Sequence, residues 1–306
     1  MSPPRFAVMI LNLNGSRWLT GLYDSLRADG YENKRVYLVD NGSVDGSQQF
    51  TRDRYPEVSV IQMPRNLGYS MAYNAAAATA FADGCNWIVW QNNDTLVLPG
   101  WLDRFATAAA DPRIGVMGAV FRDWDADGPN LFMQRRHPDV VPFMWDGSHP
   151  PVDCDWVEGS ACAVRRECIE NVGPLDDSFF MFWEEADFCR RARHQRWRVV
   201  LVPGAVVRHY GGGTASDTNR PSPLAVRKAR NYYAYTFSDP ERSLFRNALA
   251  AIHLFLVNLK AAIRSSSPIL AAWLHVRAFS WFAAGLPWWS TKWFSTRSAP
   301  PAPTLP

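Results

Sequence analysis

The chain has 306 residues, 47% hydrophobic, 13% aromatic and 20% charged, and its 32 basic and 29 acidic side chains leave a formal net charge of +3. This is the composition of a folded globular protein and excludes a disordered or collagen-like chain; the length allows one large α/β domain with an appendage, or two domains. The charge is uneven, because no acid follows Glu241 while Arg242, Arg246, Lys260, Arg264, Arg277, Lys292 and Arg297 do, so a slightly acidic body carries a basic, Trp-rich tail.

Residues 6–13 form a short apolar run ending at Asn14-Gly15, after which Trp18, Leu19, Leu22 and Leu26 recur at helical spacing. Further apolar runs at 36–39, 58–63 and 87–90 stop at Asp40-Asn41-Gly42-Ser43, Pro64-Arg65-Asn66 and Gln91-Asn92-Asn93-Asp94, with an Ala-rich segment over 71–82 before the last. Strands alternating with helices at this spacing predict a mostly parallel central sheet flanked by helices. Ligands of such sheets sit beyond the carboxyl ends of the strands, where the polar clusters at 12–14, 40–46 and 92–95 should converge.

Residues 112–160, rich in Gly, Pro, Asp and Trp, lack periodicity and read as irregular strands and substrate loops. The aromatic run Phe179-Phe180-Met181-Phe182-Trp183 leads into Glu184-Glu185-Ala186-Asp187 and a helix bearing three arginines. Short strands are expected at 199–202 and 206–209, ahead of a glycine run at 211–213 read as mobile. From about 224 the pattern is helical, with Leu244, Ala248, Ile252, Phe255, Leu259 and Ile263 at spacings of three and four, and the Pro-rich end 299–306 reads as disordered. The apolar window 248–263 is interrupted by His253, Asn258 and Lys260, which argues against a spanning helix. Five cysteines form an odd set without a CxxC pair, against a disulfide framework or zinc site, and the N-terminus carries no secretion signal; a cytoplasmic protein is expected.

Four clusters carry chemistry. A carboxylate ending a parallel strand, Asp40, accepts hydrogen bonds from a nucleobase or ribose, although a turn with a capped helix explains the same residues. Asp94, at the tip of a buried strand, suits a hard divalent ion that also holds a diphosphate, against the plainer account of an Asx-rich turn. Three acids at 184, 185 and 187 among aromatics are the environment that tunes a carboxylate for proton transfer, whereas acids in a first helical turn also complement the helix dipole. A lone His209 is more often structural than a ligand.

Taken in order, DNGSxDG at 40–46, Asn66-Leu67-Gly68-Tyr69 with Asn74, NNDT at 92–95, FFMFWEEADFCRR at 179–191 and His209 resemble family 2 of the inverting GT-A glycosyltransferases, and within it the rhamnosyltransferase-like enzymes of bacterial surface polysaccharide assembly. The resemblance covers about residues 6–237 and implies a GT-A catalytic domain there, followed by a helical extension over 238–298. It implies that Asn14, Asp40, Asn41, Asp45, Asn66, Gly68, Asn74, Asn92 and Asn93 line or border the nucleotide-sugar site. Asp94 and His209 would bind a divalent metal, Mg²⁺ or Mn²⁺, with Asp94 also touching the donor. Glu185 stands at the family's catalytic base, with Glu184 and Asp187 beside it, and Gly159, Ser160 and Trp183 would meet the acceptor. The sequence departs from the family at Asn92, where the first carboxylate of the DxD-type motif is expected, and at Glu185, one methylene longer than the usual Asp; which of Glu184 and Glu185 is the base stays open.

The implied partners are a dTDP- or UDP-sugar donor and a glycan or polyprenyl-diphosphate-linked acceptor. The tail, with Trp288-Trp289, Trp293, Lys292 and Arg297, fits a peripheral position on an anionic inner membrane face, or simple packing on the catalytic domain. Nucleic-acid binding is not expected, since the bases lie among apolar helices. The competing functions are a nucleotidyltransferase, for which no Gly-rich phosphate loop with a following Lys is seen, and a non-catalytic sugar- or lipid-binding subunit of the same fold.

Overall fold

The computed structural model describes residues 3–211, 223–265 and 267–298. Gly212, Gly213 and the 299–306 tail, for which mobility and disorder are expected, lie outside them. The N-terminal half is built from β1 (Phe6–Asn12), α1 (Ser16–Ala28), β2 (Lys34–Asp40), α2 (Ser47–Arg54), β3 (Ser59–Gln62), α3 (Gly68–Ala82) and β4 (Trp87–Asn92), with the strands parallel in the order β3-β2-β1-β4. Phe6 to Ile10 are fully buried, so these strands read as continuous apolar runs rather than alternating ones. Register aligns their carboxyl ends, with Asn12 opposite Asp40 and Leu11 opposite Asn92.

The chain continues through β5 (Thr95–Val97), α4 (Trp101–Ala108), β6 (Ile114–Arg122), α5 (Leu131–Arg136), β7 (Val152–Asp153), β8 (Ala161–Arg165), α6 (Arg166–Val172), α7 (Glu184–His194) and β9 (Arg198–His209). These extend the sheet as β8-β6-β9-β5, with β7 on β9. Here the sheet is mixed: β8 runs antiparallel to β4 and β6, β6 and β9 are parallel, and β5 opposes β9.

Two expectations need correction. The region 112–160 is more ordered than its composition suggests, because β6 is a nine-residue strand buried along all but its last residue. Its Gly115 and Gly118 are packing sites, not loop signals: a Cβ would lie 2.7 Å from the Cys168 Sγ at the first and 2.5 Å from the Val157 side chain at the second. The two short strands expected at 199–202 and 206–209 are one twelve-residue strand, with Pro203-Gly204 in a register shift against β6 rather than in a break.

Four helices close the molecule: α8 (Pro223–Phe237), α9 (Leu244–Ile263), α10 (Pro268–Ala284) and α11 (Leu286–Ser298). They share a second core in which Tyr233, Phe237, Phe282 and Trp289 pack together with Phe179, from the loop that precedes α7. This corrects the reading of the tail as a row of interfacial anchors. Trp289 and Trp293 are buried, the Trp293 Nε1 donating to the Asp239 carbonyl at 2.8 Å, and Lys292 points inward to ion pairs. Trp273, Trp281 and Trp288 stay exposed.

Candidate active site

The carboxyl ends of β1, β2 and β4 are joined by a web of amides. Asn12, fully buried at the end of β1, donates to Asp40 Oδ1 (3.3 Å) and Ser43 Oγ (3.1 Å) and accepts from Asn93 Nδ2 at 2.8 Å. Asp40 is also fully buried, and its second oxygen accepts from the Ser43 amide and from Gln48 Nε2 at 2.6 Å, so it organises the 40–48 loop from within. Asn14, at φ 51°, accepts from the Val44 amide at 2.8 Å, and Asp45 accepts from the Ser16 and Ser47 amides, tying the starts of α1 and α2. Asn41 spans to the next loop, donating to Asn66 Oδ1 and the Gly68 carbonyl and accepting from the Leu67 amide.

Gly68 opens α3 with φ +83°, and a Cβ there would lie 2.4 Å from the Phe180 carbonyl oxygen, so no other residue fits without movement. The same carbonyl accepts from the Tyr69 amide at 2.6 Å, and Ser70 Oγ donates to the Phe179 carbonyl at 2.6 Å. Asn74 is directed to this side too, donating to the Leu175 carbonyl and Asp177. The Gly68–Asn74 segment therefore grips the loop that carries the acids.

The acid segment enters α7 through two non-glycine residues in the left-handed region, Phe182 (φ 72°) and Trp183 (φ 76°). Such residues cost of order 1–3 kcal/mol each and persist only where the surroundings hold them. Here α8 holds them: Asn231 Nδ2 donates to the carbonyls of Met181 and Phe182 at 3.0 Å, and the Trp183 ring stacks on Tyr232 at 4.3 Å.

Of the three acids, Glu184 is buried and Glu185 partly exposed. Both have a buried Oε2 without a protein partner. Burial, and then the neighbouring Glu185, push the Glu184 carboxyl well above its ordinary range. Burial, opposed by backbone amides and reinforced by Glu158, raises Glu185 to about 7. Asp187 departs from the expected catalytic grouping. Burial alone would raise it, but Lys292, Arg191 and Arg190 hold it well below the usual carboxylate range, with Arg191 Nε at 2.9 Å and Lys292 Nζ at 2.9 Å. It is the centre of a buried ion-pair cluster.

Glu185 lies against Gly159, where a Cβ would come within 3.3 Å of the Glu185 Cβ and 2.7 Å of the Tyr69 hydroxyl. Next to it stands Glu158, which the sequence reading passed over although it adjoins the Gly159-Ser160 pair. Its Oε1 accepts from Ser160 Oγ at 3.0 Å and meets His209 Nδ1 at 2.9 Å, while His209 Nε2 faces Asp94 Oδ1 at 3.4 Å. Burial would depress His209, but Glu158 and Asp94 on its two sides outweigh it and push the imidazole up to about 10. The pair thus prepares a buried position for positive charge. Asn92 and Ser160 are joined through the backbone at 2.9 Å, bringing the ends of β4 and β8 together. Asn12, Ser43 and Glu158 also stand in the candidate site, beyond the residues expected there from the sequence.

Residues 7–156 match the pattern of glycosyl transferase family 2. Over 233 residues the chain is 32% identical to the N-acetylglucosaminyl-diphospho-decaprenol L-rhamnosyltransferase of Mycobacterium tuberculosis, covering 66% of this chain and 73% of that protein. The chain belongs to glycosyl transferase family 2. It is therefore a glycosyltransferase, and the nucleotidyltransferase reading falls. The O-antigen biosynthesis protein RfbC of Myxococcus xanthus is 23% identical over 224 residues, 68% of this chain and 17% of that one.

Solved family-like structures share the GT-A fold. The mannosyltransferase PcManGT from Pyrobaculum calidifontis, in complex with GDP-Man and Mn²⁺, superimposes with a TM-score of 0.61 at 19% identity, over 98% of this chain and 86% of that one. S. aureus TarS 1–349 in complex with UDP-GlcNAc gives 0.62 at 12% identity, over 96% and 89%. Within this family 2 chain, no group of three or more His, Cys, Asp or Glu side chains among the described residues is set to hold a metal alone. Asp94 Oδ1 and His209 Nε2 face one another at 3.4 Å, an oxygen and a nitrogen that would supply two of a cation's ligands once the imidazole gives up a proton.

Proposed function

We propose that this glycosyltransferase transfers a sugar, rhamnose in the first instance, from a dTDP- or UDP-linked donor to a hydroxyl of a polyprenyl-diphosphate-linked glycan in cell-surface polysaccharide assembly, with inversion. The observation that carries the reading is the unbroken contact line Asp94, His209, Glu158, Gly159, Glu185, which connects the tip of β4 to the carboxylate of α7. Asp94 and His209 would hold a divalent cation, which supplies charge neutralisation at the departing diphosphate. Ionised Glu185 takes the proton of the acceptor hydroxyl as its oxygen forms the bond to the anomeric carbon. The bond from that carbon to the diphosphate oxygen breaks, and the nucleoside diphosphate leaves with the electron pair. The partial exposure of Glu185 favours it over buried Glu184 as the base.

The donor is tested by thermal shift against a panel of nucleotide sugars with Mn²⁺ or Mg²⁺. A cognate donor at 100 times its Kd raises stability by about 2.7 kcal/mol. No shift with any dTDP- or UDP-sugar defeats the donor assignment, and binding without release of nucleoside diphosphate supports a binding subunit instead.

The reading extends to a peripheral position on an anionic membrane face. Phe245, Leu249, Ile252, Leu256 and Ile263 are exposed along one side of α9, with Ile269 89% exposed near the start of α10 and Lys260 and Arg264 beside them. By length and composition α9 could cross a membrane. Its other side is committed to protein, with Asn247 fully buried and donating to the Asp239 carbonyl at 2.8 Å, which suits a helix lying along a surface. In flotation with anionic vesicles at low salt the protein is expected to rise with the lipid; protein left at the bottom of the gradient defeats this part of the reading.

A further inference from the structure

The segment that presents Glu185 is supported from behind by the C-terminal helices, and a buried lysine of α11 is part of that support. Lys292 of α11 has a side chain only 9% exposed, and its Nζ meets both Asp187 Oδ1, at 2.9 Å, and the Asp176 carboxylate. Asp187, itself 1% exposed, stands two residues beyond Glu185 in the first turn of α7. Its other cations, Arg190 and Arg191, come from positions i+3 and i+4 of the same helix and reach on to the Tyr235 carbonyl and Ser238 and to the Val172 and Pro174 carbonyls, none of which lies on α11. Lys292 arrives from a different element, and Asp176 lies in the loop leading to Phe179. The ammonium also sits 4.5 Å from the Phe179 ring, against which Trp289 packs at 5.8 Å.

We infer that Lys292 is a positioning residue: by joining Asp187 on α7 to Asp176 in the preceding loop, it fixes the first turn of α7 and so the place of the Glu185 carboxylate in the cleft. A buried ion group is poor value as a stabiliser, since apolar side chains of similar volume often serve as well. What it supplies is a definite register between α11, the loop at Asp176 and the first turn of α7. The need is acute here, because the loop between Asp176 and α7 holds the two left-handed residues Phe182 and Trp183. A misplacement of about 1 Å in a reacting group can lower a rate by about 10²-fold.

The inference rests on Glu185 being the base, and the test separates the two. In the full-length protein Lys292→Met, which keeps the length and removes the charge, is expected to lower kcat by about 10- to 100-fold while donor KM stays within about twofold. Lys292→Arg, which keeps the charge, is expected to recover most of that loss. If Lys292→Met does not fold, Asp176→Asn releases one end of the link while Asp187 keeps its cations, and it should lower kcat in the same sense. Added to Glu185→Gln, Lys292→Met should cause no further loss, as expected of residues acting through one group. Turnover of Lys292→Met or Asp176→Asn within about twofold of wild type, with lowered thermal stability alone, overturns the proposal and leaves the base in place. Near-wild-type turnover of Glu185→Gln instead removes the base and the positioning role with it.

Discussion

Glu185→Gln is expected to lower kcat by about 10²- to 10⁴-fold, the range of a lost general base, or about 2.7 to 5.5 kcal/mol of barrier, with donor affinity retained. Gln keeps the side chain's shape against Gly159, so the loss would report proton transfer rather than packing. In the wild-type enzyme kcat/KM should climb as pH rises through the neighbourhood of 7 and then level, because the base works ionised and its carboxyl is raised to about 7. The sign follows from burial: the charged form is disfavoured, so a larger share of the enzyme is protonated and idle at pH 6 than an exposed glutamate would give. A flat profile between pH 5.5 and 8, or a Gln variant with ordinary turnover, would exclude Glu185. Glu184→Gln, made in parallel, should cost less activity, since Glu184 is buried and Glu185 is partly exposed.

The second large effect is expected at Asp94. Asp94→Asn keeps the side chain's outline but removes one of the two carboxylates flanking His209, and should lower kcat/KM by about 10²- to 10³-fold, the scale of a lost electrostatic contact to a charged transition state. The variant's residual rate should respond little to added Mn²⁺ or to EDTA, whereas the wild-type rate should fall on chelation. Isothermal titration of Mn²⁺ in the presence of nucleoside diphosphate gives a readout independent of turnover. An Asn variant with unchanged metal affinity and chelator sensitivity would take Asp94 out of the metal site.

Much of the N-terminal half was legible because its strands end where an apolar run meets Asx and Gly residues, as at Asp40-Asn41-Gly42 and Asn92-Asn93-Asp94. What those amides do there was less legible. Asp40 and Asn41 direct their hydrogen bonds to protein groups of these loops, and Asn12, enclosed in an apolar run, gave no sign that it joins the loop at 40–43 to Asn93. The strand β6 was hidden because Gly115 and Gly118, demanded by close side-chain packing, carry the same letter as a turn. Asp187 looked like a third member of an acid cluster, since sequence spacing does not say which side of a helical turn meets a cation from α11. Glu158 was hidden in a different way, since its role depends on the pairing of β5 with β9, which sets Thr95 opposite His209 across the sheet.

The second core also orders events in time. The parallel strands and the loops at their ends lie early in the chain and pack without help from α8 to α11. Phe179, in contrast, finds its packing partners in helices that follow it in the chain. A growing chain can therefore shape the carboxyl ends of its parallel strands while the loop before α7 is still unset, and that loop gains its packing only when α8 to α11 have docked.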